Sequence, residues 1–479
     1  MSEGFDANGD VSDGFDTEVL VVGGGPAGYV AAIRAAQYDL DVTLVEMNTL
    51  GGTCLNRGCI PSKALISAAN VAHDARTGSQ MGITAEVDVD FQQMVEWKDD
   101  VVGNMNRSVE KLCKANRVSL VEGRAAFEDE HSVRIEGPDG ESERITFEHA
   151  VLATGSRPIE LPGFEFHRPG VLDAKGALEL DELPDSLLVV GAGYIGMELS
   201  MLFAKLDVEV TVVEALDAMM PVFPSDLVAP VSSAAAELGI ETNYGELASE
   251  CQSSDQGVTV ATEDVDSGDR REYEAEAVLV AVGRSPVTDT MGLDRVGLEP
   301  DQDGFIRTDE YGRTDVDHVF AVGDVAGEPM LAHVGATEGE IAAAEIAGRN
   351  PSAEDRASPA VAFTSPEIAT VGLTREDAEE TDHAVSVGEF PMRASGRALT
   401  TGHAEGFVRL VSGDGGVVLG GQIVGPEASE LISEITLAVE EGLTTDELAE
   451  AIHPHPTLSE AIGEAAANEQ DLAIHTLNR

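Results

Sequence analysis

Two cysteines five residues apart are the side chains of this sequence whose type and spacing point most directly to chemistry. Cys54 and Cys59 lie in the run LGGTCLNRGCIPSKAL, Leu50 to Leu65. On a regular α-helix, five residues turn about 500° and place the two side chains about 140° apart, whereas a disulfide needs Cα atoms about 5.5 Å apart. A bond between these thiols therefore requires a distorted segment, which residues 56–58 could provide.

Redox chemistry is favoured for this pair over two alternatives. A zinc site would need a histidine or a second cysteine pair at ligand spacing, and neither is nearby. Four cysteines in 479 residues exclude a disulfide scaffold. Two buried structural cysteines are the other interpretation, and redox use is favoured over it in a predicted cytoplasmic protein with so few cysteines. Cys113 and Cys251 lack such a context and are predicted to be core or surface thiols. Pro61 suits the first turn of a helix that carries Lys63.

A histidine near the C-terminus is the candidate acid-base for such chemistry. His455 lies in IHPHPTLSEAIGEA, Ile452 to Ala465, and Glu460 follows five residues on, near the start of a predicted helix. Thiol-disulfide exchange needs a base that takes a proton from the incoming thiol and returns it. A histidine oriented by a carboxylate supplies that base, although a histidine at this place could also only cap the helix or pack.

The elements that must position these side chains include a repeat. Glu18 to Glu46 and Ser186 to Glu214 each read as strand, Gly-x-Gly-x-x-Gly, helix and second strand ending in glutamate, with an offset of 168 residues. The glycines permit a tight turn and the approach of a pyrophosphate to the helix N-terminus, and the glutamate suits a ribose hydroxyl. The two nucleotide sites so predicted comprise Gly23, Gly25, Gly28 and Glu46 in the first repeat, and Gly191, Gly193, Gly196 and Glu214 in the second. No arginine follows Glu214 to meet a 2′-phosphate, so NAD is favoured over NADP.

A second pair of similar segments predicts that one nucleotide domain is inserted into the other. HAVLATGSRP, His149 to Pro158, and EAVLVAVGRSP, Glu276 to Pro286, each run from a strand into a glycine turn. The chain then returns at HVFAVGDVAG, where Asp324 could hold a polyol hydroxyl of a long cofactor or could be only a turn residue. After about residue 348 the pattern indicates a separate α+β domain. The predicted limits are an acidic tail at 1–15, a first nucleotide domain at 16–155 that returns at 284–350, a second at 156–283 and a C-terminal domain at 351–479.

Together these motifs resemble the flavin-dependent pyridine nucleotide disulfide oxidoreductases. GGTCLNRGCIPSK, the doubled fingerprint, GYIGME at Gly193 to Glu198, Gly323-Asp324 and HPHPTLSE carry the resemblance, which runs from about residue 15 to about residue 471. Within that family the chain is most similar to members that oxidise dihydrolipoamide with NAD⁺. It resembles glutathione reductases less, because they carry basic residues after the second fingerprint, and mercuric reductases less, because they add a C-terminal cysteine pair. The implied fold is α/β, with two Rossmann-like domains, the NAD domain inserted in the FAD domain, and a C-terminal α+β dimerisation domain.

The resemblance also implies roles for the catalytic residues. Cys54 and Cys59 would form a redox disulfide, with Cys59 facing the flavin and Cys54 exposed to substrate. Lys63 would lie beside the flavin N5 edge and pair with Glu198. His455, oriented by Glu460, would act on the cysteine pair of the other subunit, which implies a homodimer.

Cofactor contacts follow from the same resemblance. The first repeat would bind the ADP half of FAD, with Asp324 at the ribityl chain, and the second repeat would bind NAD. The remaining implied contacts are Gly52, Thr53, Lys63, Gly155, Gly283 and Ala332. After Ala332 the chain reads His-Val where many family members have His-Lys, which bears only on fine cofactor contacts.

The expected reaction is dihydrolipoamide + NAD⁺ to lipoamide + NADH, in two half-reactions. The lipoyl group would be free or carried by a protein of a 2-oxoacid dehydrogenase or glycine cleavage complex. Two other readings stay open: the same chemistry on another small disulfide, and a flavoprotein scaffold or nucleotide sensor within a larger complex with little turnover.

The charge of the chain predicts its surroundings. Its 88 acidic and 29 basic residues give a formal net charge of −59, which excludes nucleic acid and anionic membranes as partners. Such self-repulsion needs screening, so we predict a protein of a salt-saturated cytoplasm, with an ordinary acidic enzyme as the alternative. The first sixteen residues lack the basic and apolar regions of a signal peptide, and no run is apolar enough to span a membrane.

Overall fold

A computed structural model describes residues 14–254, 257–352, 356–381 and 384–478. Most of the predicted acidic tail, residues 1–13, lies outside the described residues. Within the described ranges, no helix combines the length and the apolar character needed to cross a bilayer.

The strands of the described chain are, in order, β1 (Thr17–Val22), β2 (Val42–Glu46), β3 (Ser119–Glu122), β4 (Arg124–Asp129), β5 (Ser132–Glu136), β6 (Ser142–Leu152), β7 (Ser156–Pro158), β8 (Val171–Leu172), β9 (Ser186–Val190), β10 (Glu209–Glu214), β11 (Glu241–Tyr244), β12 (Glu246–Ser254), β13 (Gly257–Asp264), β14 (Arg270–Ala275), β15 (Ala277–Val280), β16 (Arg284–Pro286), β17 (Val319–Ala321), β18 (Ala360–Ala362), β19 (Glu367–Gly372), β20 (Ser386–Pro391), β21 (Phe407–Ser412) and β22 (Val418–Gly425).

The helices are α1 (Pro26–Gln37), α2 (Gly52–Arg57), α3 (Cys59–Thr77), α4 (Phe91–Ala115), α5 (Ala174–Leu178), α6 (Tyr194–Lys205), α7 (Ser225–Glu237), α8 (Ala332–Ile346), α9 (Arg375–Glu379), α10 (Gly396–Thr401), α11 (Ala428–Glu440), α12 (Thr445–Glu450) and α13 (Glu460–Glu469).

These elements form two compact units. The first contains the described residues of 1–61, 96–158 and 284–354, and the second those of 62–95, 159–283 and 355–479. The predicted domain limits at residues 155, 283 and 350 stay predictions, because one compact unit can contain more than one domain.

The first unit is built on a sheet of order β3-β2-β1-β6-β5-β4, with β17 paired to β6. Strands β3, β2, β1, β6 and β17 are parallel, while β5 and β4 add an antiparallel extension. The first strand, TEVLVV, is buried on both faces, as a strand of a covered parallel sheet must be. Helix α1 begins at Pro26, whose missing N–H costs nothing in a first turn.

The second unit contains a parallel sheet of similar order, β11-β10-β9-β15-β8, and an antiparallel sheet β12-β13-β14. A further antiparallel sheet, β18-β19-β22-β21-β20, is packed by α11 and α13. The two parallel sheets, with the antiparallel sheet and helices near the C-terminus, confirm the predicted fold class.

Local predictions near the C-terminus are confirmed for the helices and incomplete for the strands. The sequence predicts helices at about 429–441 and about 445–451, and α11 and α12 lie there. It also predicts strands in AVAFTSPEIATVGL, GFVRLVSG and VVLGGQIVG, and these runs contain β18, β19, β21 and β22. Strand β20 was not predicted, because SVGEFP is short and interrupted by glycine and proline. A Cβ at Gly388 would lie 2.1 Å from the carbonyl oxygen of Ala465 in α13, so packing against that helix requires glycine there.

Candidate active site and nucleotide-binding turns

The first glycine turn is wound so tightly that side chains cannot be accommodated. Gly23 has φ 104°, and a Cβ there would lie 2.2 Å from the carbonyl oxygen of Ala153. A Cβ at Gly28 would lie 1.8 Å from the carbonyl oxygen of Gly23. Gly25 is the N-cap of α1, which leaves the backbone N–H groups of its first turn to bind an anion. These residues fit the pyrophosphate of a dinucleotide.

Glu46 closes the same turn at the end of β2. Its Oε2 accepts a hydrogen bond from the Gly24 N–H at 2.7 Å, and its Oε1 accepts one from the Asn48 N–H at 2.8 Å. A carboxylate has about four acceptor sites, so two remain for ribose hydroxyls. The backbone therefore fixes the carboxylate where the sequence predicts a ribose contact.

The second turn repeats this geometry. Gly191 has φ 103°, and a Cβ at Gly196 would lie 2.1 Å from the carbonyl oxygen of Gly191. The two oxygens of Glu214 accept hydrogen bonds from the N–H groups of Ala192, at 2.6 Å, and Leu216, at 2.9 Å. Each donor lies 168 residues after its counterpart in the first turn, so the sequence repeat is also a repeat of hydrogen bonds.

The two cysteines lie on consecutive helices. Cys54 is in α2 and Cys59 begins α3, and between them Gly58 has φ −137° and ψ −108°, which interrupts the helix. The distortion that a Cys54–Cys59 bond requires is therefore present at Gly58. Pro61 falls in the first turn of α3, as predicted, and Lys63 follows one turn after Cys59. Cys54 is half-buried and Cys59 is exposed.

Helix α2 is held beside the first glycine turn. The Gly51 N–H donates to the Gly24 carbonyl at 2.8 Å, and a Cβ at Gly52 would lie 2.6 Å from the Gly25 Cα. Gly52 and Thr53 are the first two residues of α2. The predicted cofactor contacts Gly25 and Gly52 are thus neighbours in space.

An asparagine pair that sequence reasoning missed anchors α2. Asn56 Nδ2 donates to the Gly52 carbonyl at 2.9 Å, and its Oδ1 accepts from Asn106 Nδ2 at 2.7 Å. Asn106 lies in α4, fifty residues away in sequence. Asn56 was considered only for its place between the cysteines, and Asn106 has no signal in the sequence.

Asp324 is fixed by side chains rather than being only a turn residue. It lies in the short 3₁₀ helix Gly323–Val325 and accepts a hydrogen bond from the Ser156 hydroxyl. Arg284 Nε donates to that hydroxyl oxygen at 2.8 Å, and Arg284 Nη2 donates to the Ser156 carbonyl at 2.7 Å. Ser156 and Arg284 were missed as site residues, although both stand in the similar segments GSRP and GRSP.

The glycines of these similar segments and the start of α8 complete the predicted contacts. Gly155 and Gly283 both have positive φ, 70° and 121°, as their turns require. Ala332 is the first residue of α8, which packs on α1. In α8, Glu338 accepts from the Gly323 N–H at 2.6 Å. Burial raises the pKa of Glu338, the nearby Asp324 raises it further, and the Gly323 hydrogen bond opposes this rise.

The predicted contact between Lys63 and Glu198 is present in the second unit. Lys63 Nζ lies 2.7 Å from Glu198 Oε2, and Glu198 is only 4% exposed. The other oxygen, Oε1, accepts from the Phe363 N–H at 2.8 Å, and Lys63 Nζ lies 4.5 Å above the Phe363 ring. Phe363 was not predicted, because its run of apolar residues indicates only a strand. The buried carboxylate is thus held by an ammonium and a backbone donor.

His455 and Glu460 form the predicted dyad. His455 Nδ1 lies 2.9 Å from Glu460 Oε1, and Glu460 Oε2 accepts from the Thr457 N–H at 2.8 Å. The hydrogen bond from His455, and then that from Thr457, lowers the pKa of Glu460. An ionised Glu460 accepts from Nδ1–H, which leaves Nε2 as the basic nitrogen of an imidazole that is 80% exposed. The arrangement can take and return a proton.

His453, which shares the run IHPHPTLSE with His455, has a different carboxylate partner. Its Nε2 lies 2.9 Å from Glu434 Oε1 in α11, and the side chain is 12% exposed. His453 therefore fixes the segment between α12 and α13, on which His455 stands.

Comparisons with known proteins agree with this geometry. Residues 17–339 match the model of the pyridine nucleotide-disulphide oxidoreductase family, and residues 358–466 match its dimerisation domain. Proteins named dihydrolipoyl dehydrogenase from the halophilic archaea Halobacterium salinarum and Haloferax volcanii are each 56% identical, over 98% of this chain and 99% of theirs. One from Geobacillus stearothermophilus is 44% identical over 97% of this chain and 98% of its own.

A solved structure has the same fold. The crystal structure of LpdA from Mycobacterium tuberculosis is similar with a TM-score of 0.87 and 29% identity, over 94% of this chain and 99% of that one. The dimerisation-domain match supports the predicted homodimer. The halophilic relatives support a salt-adapted protein. Members of the matched family use FAD and a pyridine nucleotide, as predicted, and this chain belongs to the pyridine nucleotide-disulphide oxidoreductase family.

Proposed function

We infer that this enzyme oxidises dihydrolipoamide to lipoamide and reduces NAD⁺, as a dihydrolipoyl dehydrogenase. The observation that carries the chemistry is the His455–Glu460 dyad, in a chain whose Cys54 and Cys59 are separated by the break at Gly58. The full-length relatives at 56% identity bear this name and confirm the substrate predicted from the sequence.

The thiol half-reaction follows from these residues. His455 Nε2 takes a proton from one thiol of dihydrolipoamide, and the resulting thiolate attacks Cys54 Sγ in a Cys54–Cys59 disulfide. The disulfide bond breaks and Cys59 leaves as a thiolate. His455 passes the first proton to solvent and takes the proton of the second substrate thiol, and the thiolate so formed attacks the substrate sulfur of the mixed disulfide. Lipoamide leaves as a cyclic disulfide, and Cys54 receives the proton that His455 held.

The nucleotide turns hold the groups that accept the electrons. When bound, FAD would supply an acceptor for two electrons from the cysteine pair and a donor of a hydride to NAD⁺. Gly23, Gly25, Gly28 and Glu46 would hold its ADP half, and Asp324 its ribityl chain. In the second repeat, Gly191, Gly193, Gly196 and Glu214 would hold NAD, while Lys63 and Glu198 would couple the two cofactors. Glu214 would repel a 2′-phosphate, which favours NAD over NADP.

His455 is proposed to act on the cysteine pair of the other subunit. A hybrid dimer of one Cys54→Ser subunit and one His455→Ala subunit tests this, because one of its two sites then has both groups intact. Activity near half that of the wild type supports the shared site. A hybrid as inactive as the two parent dimers shows that each subunit serves itself.

The substrate assignment is tested by steady-state rates in about 2 M KCl, where charge repulsion is screened. Dihydrolipoamide is offered with NAD⁺ or NADP⁺, and oxidised glutathione with NADH or NADPH. Fast oxidation of dihydrolipoamide with NAD⁺ is expected. Turnover of glutathione alone would keep the thiol chemistry and remove the lipoyl assignment.

The physiological partner is proposed to be a lipoyl-bearing protein of a 2-oxoacid dehydrogenase or glycine cleavage complex, in a salt-rich cytoplasm. The net charge of −59 supports such surroundings, because screening by salt relieves the repulsion. Rates with lipoylated proteins of the two complexes would distinguish them.

A further inference from the structure

Helices α3 and α6 are joined by two polar pairs in one register. Lys63 pairs with Glu198 at 2.7 Å, and seven residues further along both helices Asn70 Oδ1 accepts from Lys205 Nζ at 2.6 Å. The two helices therefore run in the same direction, and the pairs are two turns, about 10 Å, apart. Between the pairs, buried Leu65 of α3 belongs to the same hydrophobic cluster as residues of α6.

Lys205 is an unusual residue for this place. The side chain is 6% exposed, and its hydrogen-bond partner is the neutral amide of Asn70 rather than a carboxylate. Burial lowers the pKa of Lys205 to about 8, although the charge of Asp74 raises it. A buried cation held by an amide is costly, and an apolar side chain of similar length would serve packing better. Packing alone therefore does not explain a lysine.

Further charged groups surround this second pair. Arg76 Nη1 donates to the Lys205 carbonyl at 2.8 Å, and its Nη2 lies 3.0 Å from Asp207, just after α6. Asp74 of α3 lies 3.7 Å from the ring of His403, which follows α10. Burial, and next the charge of Lys205, lowers the pKa of His73 in α3. Asp74 and His73 thus interact electrostatically with Lys205, and Arg76, Asp207 and His403 belong to the same cluster of ionisable groups.

We propose that Asn70 and Lys205 are positioning residues that fix the register of α3 on α6 and thereby hold Lys63 against Glu198. A slip of one residue along a helix is 1.5 Å, enough to break a 2.7 Å ion pair. The inference rests on the proposed function, in which Lys63 and Glu198 couple the flavin to NAD. The new element is that this coupling depends on the Asn70–Lys205 pair, two helical turns from Lys63 and Glu198.

The test compares Lys205→Met and Asn70→Leu with the conservative Lys205→Arg in the FAD-loaded dimer. Stopped-flow reduction of the flavin by NADH is expected to slow about ten- to a hundredfold in the first two variants, because the Lys63–Glu198 pair is displaced. The flavin absorption band should shift in the same two variants. Lys205→Arg should keep both the rate and the absorption band of the wild type. The KM for dihydrolipoamide should stay unchanged. Lys175→Met, at an exposed lysine of α5, is the matched control and should leave every readout unchanged.

The melting temperature and the pH dependence of flavin reduction distinguish a positioning role of Lys205 from a packing role. Lys205→Met should melt no lower than the wild type, since an apolar replacement of a buried charge is neutral or stabilising. In the wild type the rate of flavin reduction should fall as pH rises through about 8, where Lys205 loses its proton. In Lys205→Arg the rate should not fall there, because arginine stays charged.

Wild-type rate and flavin spectrum in Lys205→Met would overturn the positioning role, whatever its melting temperature. Glu198→Gln distinguishes this failure from failure of the proposed function. If Glu198→Gln is slow and Lys205→Met is not, only the positioning role falls. If Glu198→Gln reduces its flavin at the wild-type rate, the coupling role of the Lys63–Glu198 pair falls.

Discussion

The two glycine turns share their backbone geometry and differ in what the following loop brings to them. In both, a backbone N–H donates at 2.8 Å to an equivalent carbonyl: Gly51 to Gly24 in the first turn, and Met220 to Ala192 in the second. In the first, that loop continues into α2, which carries Cys54. In the second, the loop carries Met219 and Met220, both buried.

The difference extends to the middle glycine of each fingerprint. A Cβ at Gly25 would lie 3.9 Å from Gly52, whereas among the described residues no heavy atom outside its neighbours lies within 4 Å of a Cβ at Gly193. The first turn is thus bordered by α2, which carries Cys54, whereas no described residue borders the second turn at Gly193. We infer that the first suits a cofactor that stays bound beside the thiols, and the second a cofactor that exchanges.

The largest effect is expected from removing the thiol that the first loop supplies. Cys54→Ser should lower dihydrolipoamide oxidation at least about a thousandfold, because no disulfide can form, while the flavin stays bound. Steady-state rates and flavin content measure this. Cys113→Ala is the control: burial raises the pKa of Cys113 to about 11, so it is a protonated core thiol and its loss should spare activity. Wild-type dihydrolipoamide oxidation in Cys54→Ser would show that Cys54 is not the thiol attacked by the substrate.

Alanine at the middle glycine of each fingerprint should weaken the binding of one cofactor and leave the other cofactor bound as in the wild type. Gly193→Ala fits the open turn without a clash but blocks the approach of a pyrophosphate to the backbone, so the KM for NAD⁺ should rise about tenfold or more with normal flavin content. Gly25→Ala should instead lower flavin content. Gly396→Ala in α10 is the control, because a Cβ there also meets no heavy atom within 4 Å in the described part of the chain, its own helix and neighbours aside. Loss of flavin in Gly193→Ala would reverse the assignment of the turns.

The repeat explains which parts of the site could be read from sequence. Each glycine turn and its glutamate lie within one continuous pattern of about thirty residues. The hydrogen bonds of Glu46 and Glu214 therefore follow from the fingerprint itself. The Lys63–Glu198 pair spans 135 residues and was available only through family resemblance. Ser156 and Asp324 are 168 residues apart, which equals the offset of the repeat, but both lie outside the repeated segments, so the repeat does not link them. Contacts that the fold creates between distant segments escape pattern reading.

An effect of similar size is expected from the charge beside the second turn. Replacing Glu214 by alanine and Ala215 by arginine removes a carboxylate from the site of a 2′-phosphate and adds a donor for it. A charge-assisted hydrogen bond contributes about 1.5–3 kcal/mol, so kcat/KM for NADP⁺ should rise about ten- to a hundredfold. Glu214→Ala with Ala215→Gln, which adds length without charge, is the control. No gain with NADP⁺ would place the ribose elsewhere.

The smallest effect concerns the half-buried carboxylate of Glu338, which accepts a hydrogen bond from the Gly323 N–H beside Asp324. Because the folded-state pKa of Glu338 is raised above its ordinary 4.5, the fold favours the protonated form, and stability falls as pH rises from 4.5 through that raised value. Glu338→Gln keeps an acceptor for the Gly323 N–H without the charge. It should melt about 1–3 °C above the wild type at pH 7, and the gap should close near pH 4.5.

Glu340→Gln, two residues further along α8, is the matched control for that measurement. Glu340 is exposed and paired with Arg34, an arrangement that contributes at most about 1 kcal/mol. Its loss should lower the melting temperature slightly at pH 7 or leave it unchanged. If Glu338→Gln instead melts below the wild type at pH 7, the ionised carboxylate stabilises the segment of Gly323 and Asp324.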